Sequence, residues 1–345
     1  MLFTRTPSKL ARLWLVAAMT LLGCDPAPAP PVDEPKWQQL FGELPGALIS
    51  IWGATTSDVW TVGGDPGDGS GPMILRHDGV AWTRLAAPSE GDLWWVHGFA
   101  GGPVFMGGEG GRILRYDGGK LEAMTTPGDG TVFGIWGSAP DDVWAVGGAG
   151  SSPTGGFVWR FDGSAWAEAV GVPSELSSTA TVFKVWGRSA SDVWLVGSGG
   201  LALHYDGEAF EPRATGTTRT LFTVHGDDER TIAVGGFGSG TMLEDEGQGF
   251  ADVTPAGAPQ MTGVYAQGGR AYAAGFLGAV MRRDDDGWKL EDTGIALQDD
   301  FHAVWLDPDG GVWCAGGQVA AFPLVRGMLL YKGETEIAAG TYASD

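Results

Sequence analysis

Four arginines have the chemistry to bind an anionic substrate and, with a tyrosine and an acid, to complete a catalytic site. They share the third segment of a recurring sequence unit, in words such as "ILRHDG" and "ILRYDG": Arg76, Arg115, Arg160 and Arg282. Other copies of the unit carry His204 or Glu244 at that place. Four tyrosines also occupy repeat positions: Tyr116, Tyr205, Tyr272 and Tyr331. This periodicity predicts that the arginines lie on the surfaces of repeated elements, and we expect no catalytic residues.

Metal ligands with short spacing are missing from the sequence. The five histidines are scattered: His77, His97, His204, His225 and His302. Acidic loops at residues 65–69, 284–287 and 307–311 contain carboxylates for a hard cation, but none has the spacing of an EF-hand loop. We interpret them as ordinary turns. The sequence also lacks a phosphate loop, a dinucleotide fingerprint and a Gly-x-Ser-x-Gly elbow, so we expect no metal and no cofactor.

The repeated unit itself is short, apolar and aromatic. "WGSAPDDVWAVGG" at Trp136 returns as "WGATTSDVWTVGG" at Trp52 and "WGRSASDVWLVGSG" at Trp186. Seven units align on the residue that closes the first strand, at intervals of 39 to 50 residues: Trp52, His97, Trp136, Trp186, His225, Tyr265 and Trp305. A period near 40 with four strand-like segments is typical of a propeller. The sequence therefore predicts an all-β fold, a seven-bladed β-propeller of four-stranded antiparallel blades over residues 37–338.

Aspartate and glycine are expected to supply the turns, since the sequence contains no asparagine. Asp-Gly pairs at 78–79, 117–118, 162–163 and 206–207 predict hairpins between third and fourth strands, with glycine at positive φ. Asp58, Asp142 and Asp192 lie in the turns between first and second strands. We expect their side chains to accept hydrogen bonds from their own turn backbone.

Tryptophans and a cysteine at repeat positions are predicted to form the core. Twelve of the 16 tryptophans recur in the first, second or fourth strand: Trp52, Trp136, Trp186, Trp305, Trp60, Trp144, Trp194, Trp313, Trp37, Trp82, Trp166 and Trp288. We expect them to fill the wedges between blades, where flat side chains bury much area. Cys314 is interpreted as a small buried hydrophobe rather than a nucleophile.

The closure of the ring has two possible solutions. Residues 36–41 align with the fourth strand of the next unit and predict an N-terminal strand that completes the last blade and leaves no open edge. In the competing solution, residues 334–338 supply that strand and Trp37 packs outside. Residues 339–345 are predicted to be a C-terminal tail.

The N-terminus has the features of a lipoprotein signal peptide. Three basic residues precede the apolar stretch 13–22, which is shorter than a membrane span of about 20 residues. The following "LLGC" resembles the lipobox of bacterial lipoproteins, which predicts acylation of Cys24; an ordinary signal peptide is the alternative. The proline-rich residues 25–36 predict a polyproline II spacer. The expected location is the cell envelope outside the cytoplasm, with the inner or outer membrane left open.

The charge limits the choice of partners. Removing residues 1–24 takes away three basic residues and no acidic one, so the formal charge moves from −21 to −24. Such a domain should avoid nucleic acid and anionic lipid. We expect a monomer whose membrane contact is the lipid anchor.

The pattern "WGSAPDDVWAVGG…WRFDGSAW" resembles the multi-copy secreted propeller proteins and lipoproteins of predatory and soil bacteria such as myxobacteria. The resemblance covers residues 37–333 and implies a binding scaffold of the surface or periplasm. The hairpin "FDGSAW" is loosely similar to the Asp-box of bacterial neuraminidase repeats, without its leading serine. This implies, as an alternative, a sialidase-like enzyme that processes glycans.

Binding through loops is the function that the sequence favours. Long loops at residues 63–72, 147–156 and 316–327 should share one face with the loops that join blades. Trp94 and Trp95 break the repeat there, because other units carry small residues or Lys184 at the position of Trp95. We expect Trp94 and Trp95 to contact a protein or glycan at the channel mouth. The alternatives are a structural plug for Trp95 and, for the whole protein, an assembly scaffold.

Overall fold

Seven sheets, each built on four antiparallel strands, form a ring, and the sheet of blade one has a fifth, parallel strand from the C-terminus. The computed structural model describes residues 1–2, 35–149, 155–173, 176 and 180–344. Cys24 and the spacer up to residue 34 lie outside the described residues. The arrangement confirms the predicted seven-bladed β-propeller. None of the helices in the described part of the chain has the length and hydropathy of a membrane span.

The strands are named here in chain order, with the innermost strand first in each blade. Blades one to three contain β2 Leu48–Thr55, β3 Asp58–Gly63, β4 Ile74–His77, β5 Trp82–Arg84; β6 Leu93–Gly98, β7 Val104–Gly108, β8 Ile113–Asp117, β9 Lys120–Met124; and β10 Thr131–Ala139, β11 Asp142–Gly148, β12 Gly156–Phe161, β13 Trp166–Glu168. Blades four and five contain β14 Val182–Ser189, β15 Asp192–Gly197, β16 Ala202–Tyr205, β17 Phe210–Pro212; and β18 Leu221–Gly226, β19 Thr231–Gly235, β20 Thr241–Asp245, β21 Ala251–Asp252. Blades six and seven contain β22 Met261–Gln267, β23 Arg270–Gly275, β24 Val280–Asp284, β25 Gly287–Glu291; and β26 Asp300–Leu306, β27 Val312–Gln318, β28 Val325–Lys332, β1 Trp37–Gly46. Two single-turn 3₁₀ helices are Ser198–Gly200 and Phe276–Gly278.

The Trp-Gly words join neighbouring blades. The glycine after the anchor lies against the anchor ring of the preceding blade, in the pairs Trp52–Gly98, Trp136–Gly187, Trp186–Gly226 and Trp305–Gly53. A Cβ atom at any of these glycines would lie only 2.5 to 2.8 Å from the nearest ring carbon. The repeated "WG" is therefore an inter-blade contact, and the last pair joins blade seven to blade one.

Eleven of the twelve tryptophans predicted to form the core are buried, and Trp52 is partly exposed. Trp60, Trp82, Trp144 and Trp313 are each 1% exposed or less. Cys314 is fully buried in the same layer, and burial raises the pKa of its thiol well above the usual range. This confirms that Cys314 packs as a small hydrophobe.

The turn aspartates differ from the prediction. The Asp58 and Asp192 carboxylates accept hydrogen bonds from the indoles of Trp60 and Trp194, and Asp142 accepts one from Arg160. The bonds to Trp60 and Trp194 lie within the second strand, and the contacts of these aspartates with Arg76, Arg160 and His204 join the second strand to the third. None of the described bonds to these carboxylates comes from the backbone of their own turn. That turn-capping role belongs to the aspartates of the Asp-Gly hairpins, where Asp78 accepts from two backbone N–H groups and Gly79 has a φ of 92°.

The N-terminal strand closes the ring. Strand β1 pairs antiparallel with β28, which confirms the prediction for residues 36–41 and shows that the competing strand at 334–338 was wrong. The chain after β28 crosses to blade one instead. Ile337 is buried among Leu40, Phe41 and Trp82, and the Trp82 indole donates to the Ala338 carbonyl at 2.9 Å. The predicted tail is also part of the fold, because β29 (Ala343–Ser344) pairs in parallel with β5.

Candidate functional site

A β-bulge recurs near one end of the innermost strand of every blade. The pairing with the second strand shifts at one residue per blade: Ile49, Trp94, Phe133, Phe183, Phe222, Thr262 and His302. A bulge leaves its extra residue outside the regular pairing and re-aims the side chain. We call these seven residues the bulge ring. Each of them lies three positions before the anchor of its unit. Comparing the seven units at that position would therefore have identified the bulge ring from the sequence.

Six of the seven bulge-ring residues line a cavity of about 620 Å³ at the loop face. The remaining walls come from the loops between second and third strands and from blade-joining segments, including Ala149, Phe237, Phe276 and Phe322. Seven of the sixteen lining residues are phenylalanine or tryptophan. Of the three long loops predicted to carry function, those at 147–156 and 316–327 reach the cavity and that at 63–72 does not; residues 150–154 lie outside the described residues.

The aromatic rings of the cavity form a continuous chain of edge and tilted contacts. The ring centroids of Phe133 lie 5.3 Å from both Trp94 and Phe183, and Phe222 lies 5.4 Å from Phe183. Phe237 extends the chain outward at 5.1 Å from Phe222. Such aromatic pairs stabilise one another by about 0.5–1.5 kcal/mol beyond the area they bury. The wall is therefore largely preformed.

Trp94 covers the side of the cavity where Ile49, the bulge-ring residue of blade one, does not reach the lining. Its indole packs over the cluster that contains the fully buried Ile49 and approaches His302 with a centroid distance of 6.0 Å. The Trp94 Nε1 atom is buried and has no hydrogen-bond acceptor within the described part of the protein. The prediction that Trp94 breaks the repeat was wrong, since it shares the bulge position with three phenylalanines. Its predicted place at the channel mouth agrees with the cavity.

Trp95 contacts Lys184 and does not line the cavity. The Nζ atom of Lys184 sits 3.2 Å from the centroid of the Trp95 ring and donates to the Phe133 carbonyl at 2.8 Å. Lys184 and Trp95 occupy equivalent positions in blades four and two, and the residue between them in blade three is Gly134. Trp95 is absent from the cavity lining, whereas Lys184 forms part of its floor. The contact of Trp95 with Lys184 is compatible with the plug given as the alternative for Trp95, which stays a prediction.

Few charged groups reach the cavity. Burial holds the pKa of Lys184 well below its usual range. Burial also lowers the pKa of His302 to about 4, and its Nδ1 donates to the Ile49 carbonyl at 2.7 Å, so this imidazole is neutral near pH 7. Glu109 is the single acidic residue of the described lining. The cavity therefore combines an apolar wall with one amine and one carboxylate.

The arginines that could have formed a catalytic cluster are dispersed around the ring. Arg76, Arg115 and Arg160 each lie opposite an aromatic residue of the second strand, with the Arg160 guanidinium 4.7 Å from the Trp144 centroid. Arg282 has the same register in blade six, facing Tyr272. Neither arginine nor tyrosine occurs among the described residues that line the cavity. The described ranges also contain no group of three or more His, Cys, Asp or Glu residues placed to hold a metal ion.

No protein-family model matches the sequence, and no curated protein matches it significantly. Solved structures resemble the fold. YCF48 from Cyanidioschyzon merolae is 16% identical with a TM-score of 0.64, over 86% of this chain and 98% of that chain. A structure of YCF48 bound to D1 peptide is 16% identical with a TM-score of 0.63, over 89% and 99%. Virginiamycin B lyase from Staphylococcus aureus is 14% identical with a TM-score of 0.67, over 86% and 99%. At these identities the similarity establishes the propeller fold alone.

Proposed function

We propose that this chain is a lipid-anchored, non-catalytic propeller of the bacterial cell envelope that binds an apolar protein segment at its loop face. The observation that carries the proposal is the aromatic cavity at the bulge ring. Its rim exposes two large apolar side chains, Phe237 at 69% and Phe322 at 68%. Apolar side chains gathered around a concave site are typical of a binding surface.

A protein segment fits the cavity better than a glycan does. Sugar hydroxyls need many hydrogen-bond partners, whereas only a few lining side chains are polar, among them Thr131, Gln260 and Thr262. Apolar peptide side chains need only the aromatic walls. The propeller YCF48, solved with a D1 peptide, supports the idea that this architecture suits peptide binding. The dispersed arginines support a role without catalysis.

The binding site is tested by probing arrays of apolar peptides and of glycans with the full-length protein and its variants. Phe183→Ala and Trp94→Ala should each reduce peptide binding at least tenfold, because each removes a large aromatic surface. Val80→Ala is the control, since Val80 is an apolar side chain that is 81% exposed and lies away from the cavity, in the hairpin between β4 and β5. If the protein binds glycans and no peptide, the ligand of the cavity is a sugar and the proposed peptide ligand is wrong. Equal peptide binding by all variants would refute the site.

The anchor is tested separately in cells. Palmitate labelling of the wild-type protein should disappear in Cys24→Ser, because acylation requires the thiol. Labelling that persists in Cys24→Ser would refute lipidation at this residue. Fractionation of the labelled protein would distinguish the inner from the outer membrane.

A further inference from the structure

Lys184 is a buried amine without a carboxylate partner among the described residues. It is 3% exposed, forms part of the cavity floor, and makes no ion pair there. An ammonium group has three N–H donors. One is directed to the Phe133 carbonyl, and the face of the Trp95 ring accommodates the charge on another side. At least one donor is therefore left for a group that enters from the cavity.

A purely structural role does not account for a lysine here. Neighbouring blades are also bridged in this layer by hydroxyl groups, as in Thr223 to the Thr262 carbonyl and Thr262 to the Phe301 carbonyl. A threonine makes such a bridge without burying a charge, which is costly when the charge is unpaired. A buried lysine that has no carboxylate partner is therefore stabilised when an anion binds beside it.

The Trp94 side chain lines the same cavity. Its indole N–H is buried and has no acceptor among the described residues, and the neutral His302 beside it adds no charge. Lys184 is the only basic side chain in the described lining apart from this histidine. The whole chain carries a formal charge of −21, so general attraction of anions is absent. Anion recognition at this site would have to come from these donors, and Glu109 on the wall would disfavour an anion placed elsewhere in the cavity.

We propose that Lys184 binds the C-terminal carboxylate of an apolar protein segment whose last side chains occupy the aromatic cavity. The inference rests on the proposed function. A chain end is the appropriate occupant because Lys184 is 3% exposed and its amine lies against the Trp95 ring, so it is a terminal group entering from the cavity that can reach it. A carboxylate supplies an anionic oxygen acceptor for the donor that Lys184 leaves unfilled.

The test compares acetyl-Phe-Leu-Phe as the free acid and as the C-terminal amide, by calorimetry on the full-length protein. Wild type should bind the acid at least tenfold more tightly than the amide. Lys184→Met should bind both with similar affinity, because it keeps the volume and removes the amine. Lys184→Thr, with the residue found in blade five, is the second variant if the methionine variant does not fold; melting curves establish folding.

Proton uptake on binding can be measured separately, and a change in packing alone would not alter it. Burial holds the pKa of Lys184 low, so a bound carboxylate should raise it and draw in a proton. In a titration series from pH 7 to 10, the binding heat of the acid should therefore come to depend on the ionisation enthalpy of the buffer in wild type and not in Lys184→Met. The amide should show no such dependence, which separates Lys184 from His302 and Glu109.

Three results would overturn the inference. Equal affinity of wild type for acid and amide would remove Lys184 from recognition while the cavity proposal stands. Tight binding of decanoate with none of the peptide acid would assign the amine to a free apolar acid rather than a chain end. Failure of folded wild type to bind either peptide, together with unchanged array signals for Phe183→Ala, would overturn this inference and the proposed function.

Discussion

One substitution made in two equivalent blades should have different consequences. Trp144 and Trp194 occupy the same register of the second strand, opposite Trp136 and Trp186. The Trp194 indole donates to Asp192 at 2.9 Å. The Trp144 indole N–H is buried without an acceptor among the described residues, and Asp142 accepts instead from Arg160 at 2.7 Å and from Ser138 at 2.6 Å. Replacing each tryptophan by phenylalanine therefore removes a satisfied donor in blade four and an unsatisfied one in blade three.

The magnitudes follow from this difference. A hydrogen bond to a charged group contributes about 1.5–3 kcal/mol. We expect about 1 kcal/mol here, because the Asp192 side chain is 29% exposed and keeps the contact of His204. An unsatisfied buried donor costs about 1–3 kcal/mol, which Trp144→Phe recovers in part. The loss of ring area is shared by both variants, so Trp194→Phe should be less stable than Trp144→Phe by about 2 kcal/mol.

Urea unfolding followed by far-UV circular dichroism measures this difference, with the free energy of unfolding taken from the midpoint at a common slope. Trp60→Phe is the control, since Trp60 donates to Asp58 at 3.1 Å and should behave like Trp194. Equal losses in the three variants, or a larger loss for Trp144→Phe, would refute the assignment of the donors.

Three further predictions concern the ring and its buried groups. Deleting residues 334–345 should cost about 2–4 kcal/mol, because it exposes the seam around Trp82 that Ile337 covers; an unchanged melting temperature would contradict this. Stability should fall as the pH drops from about 6.5 to 4, since burial lowers the pKa values of His97, His225 and His302 to about 4, 3 and 4, and the unfolded chain binds the protons that the folded one rejects. Burial raises the pKa of Asp92 to about 6, so this carboxyl group stabilises the fold as the pH falls, but it is one group against three histidines. A stability that rises toward pH 4 would therefore contradict the prediction. Cys314 should react with a thiol reagent only at the rate of unfolding, and fast labelling of the native protein would show that it is accessible.

The architecture could be predicted from the sequence because every blade repeats the same pattern of strands and anchor residues. The anchor spacing located all seven innermost strands, and the alignment of residues 36–41 with a fourth strand identified the closure. The role of residues 334–344 could not be predicted. They lie outside the repeat, and their contact with Trp82 depends on two chain ends meeting across the ring.

The site was predicted only in part. Trp95 is an unusual aromatic among small residues at its position of the unit, but it contacts Lys184 and does not line the cavity. The column of Trp94 shows its aromatic character only when Phe133, Phe183 and Phe222 are compared. The bulge that turns these side chains toward the mouth has no marker in a single unit, because it arises from pairing with the second strand.

The bulge also separates two functions of the innermost strand, which are the contact between blades and the lining of the cavity. Three residues beyond it, the anchor and its glycine make the inter-blade contact, where a Cβ on Gly187 would meet the Trp136 ring at 2.7 Å. Those positions admit little change, because overpacking in a close-packed interior is costly. The bulge residue stands outside the ladder, so phenylalanine, tryptophan, threonine and histidine can alternate there without altering the register. The chemistry of the cavity can therefore vary from blade to blade on an unchanged scaffold, and the asymmetric placement of Trp94 and Lys184 is how this chain distinguishes one side of the mouth from the other.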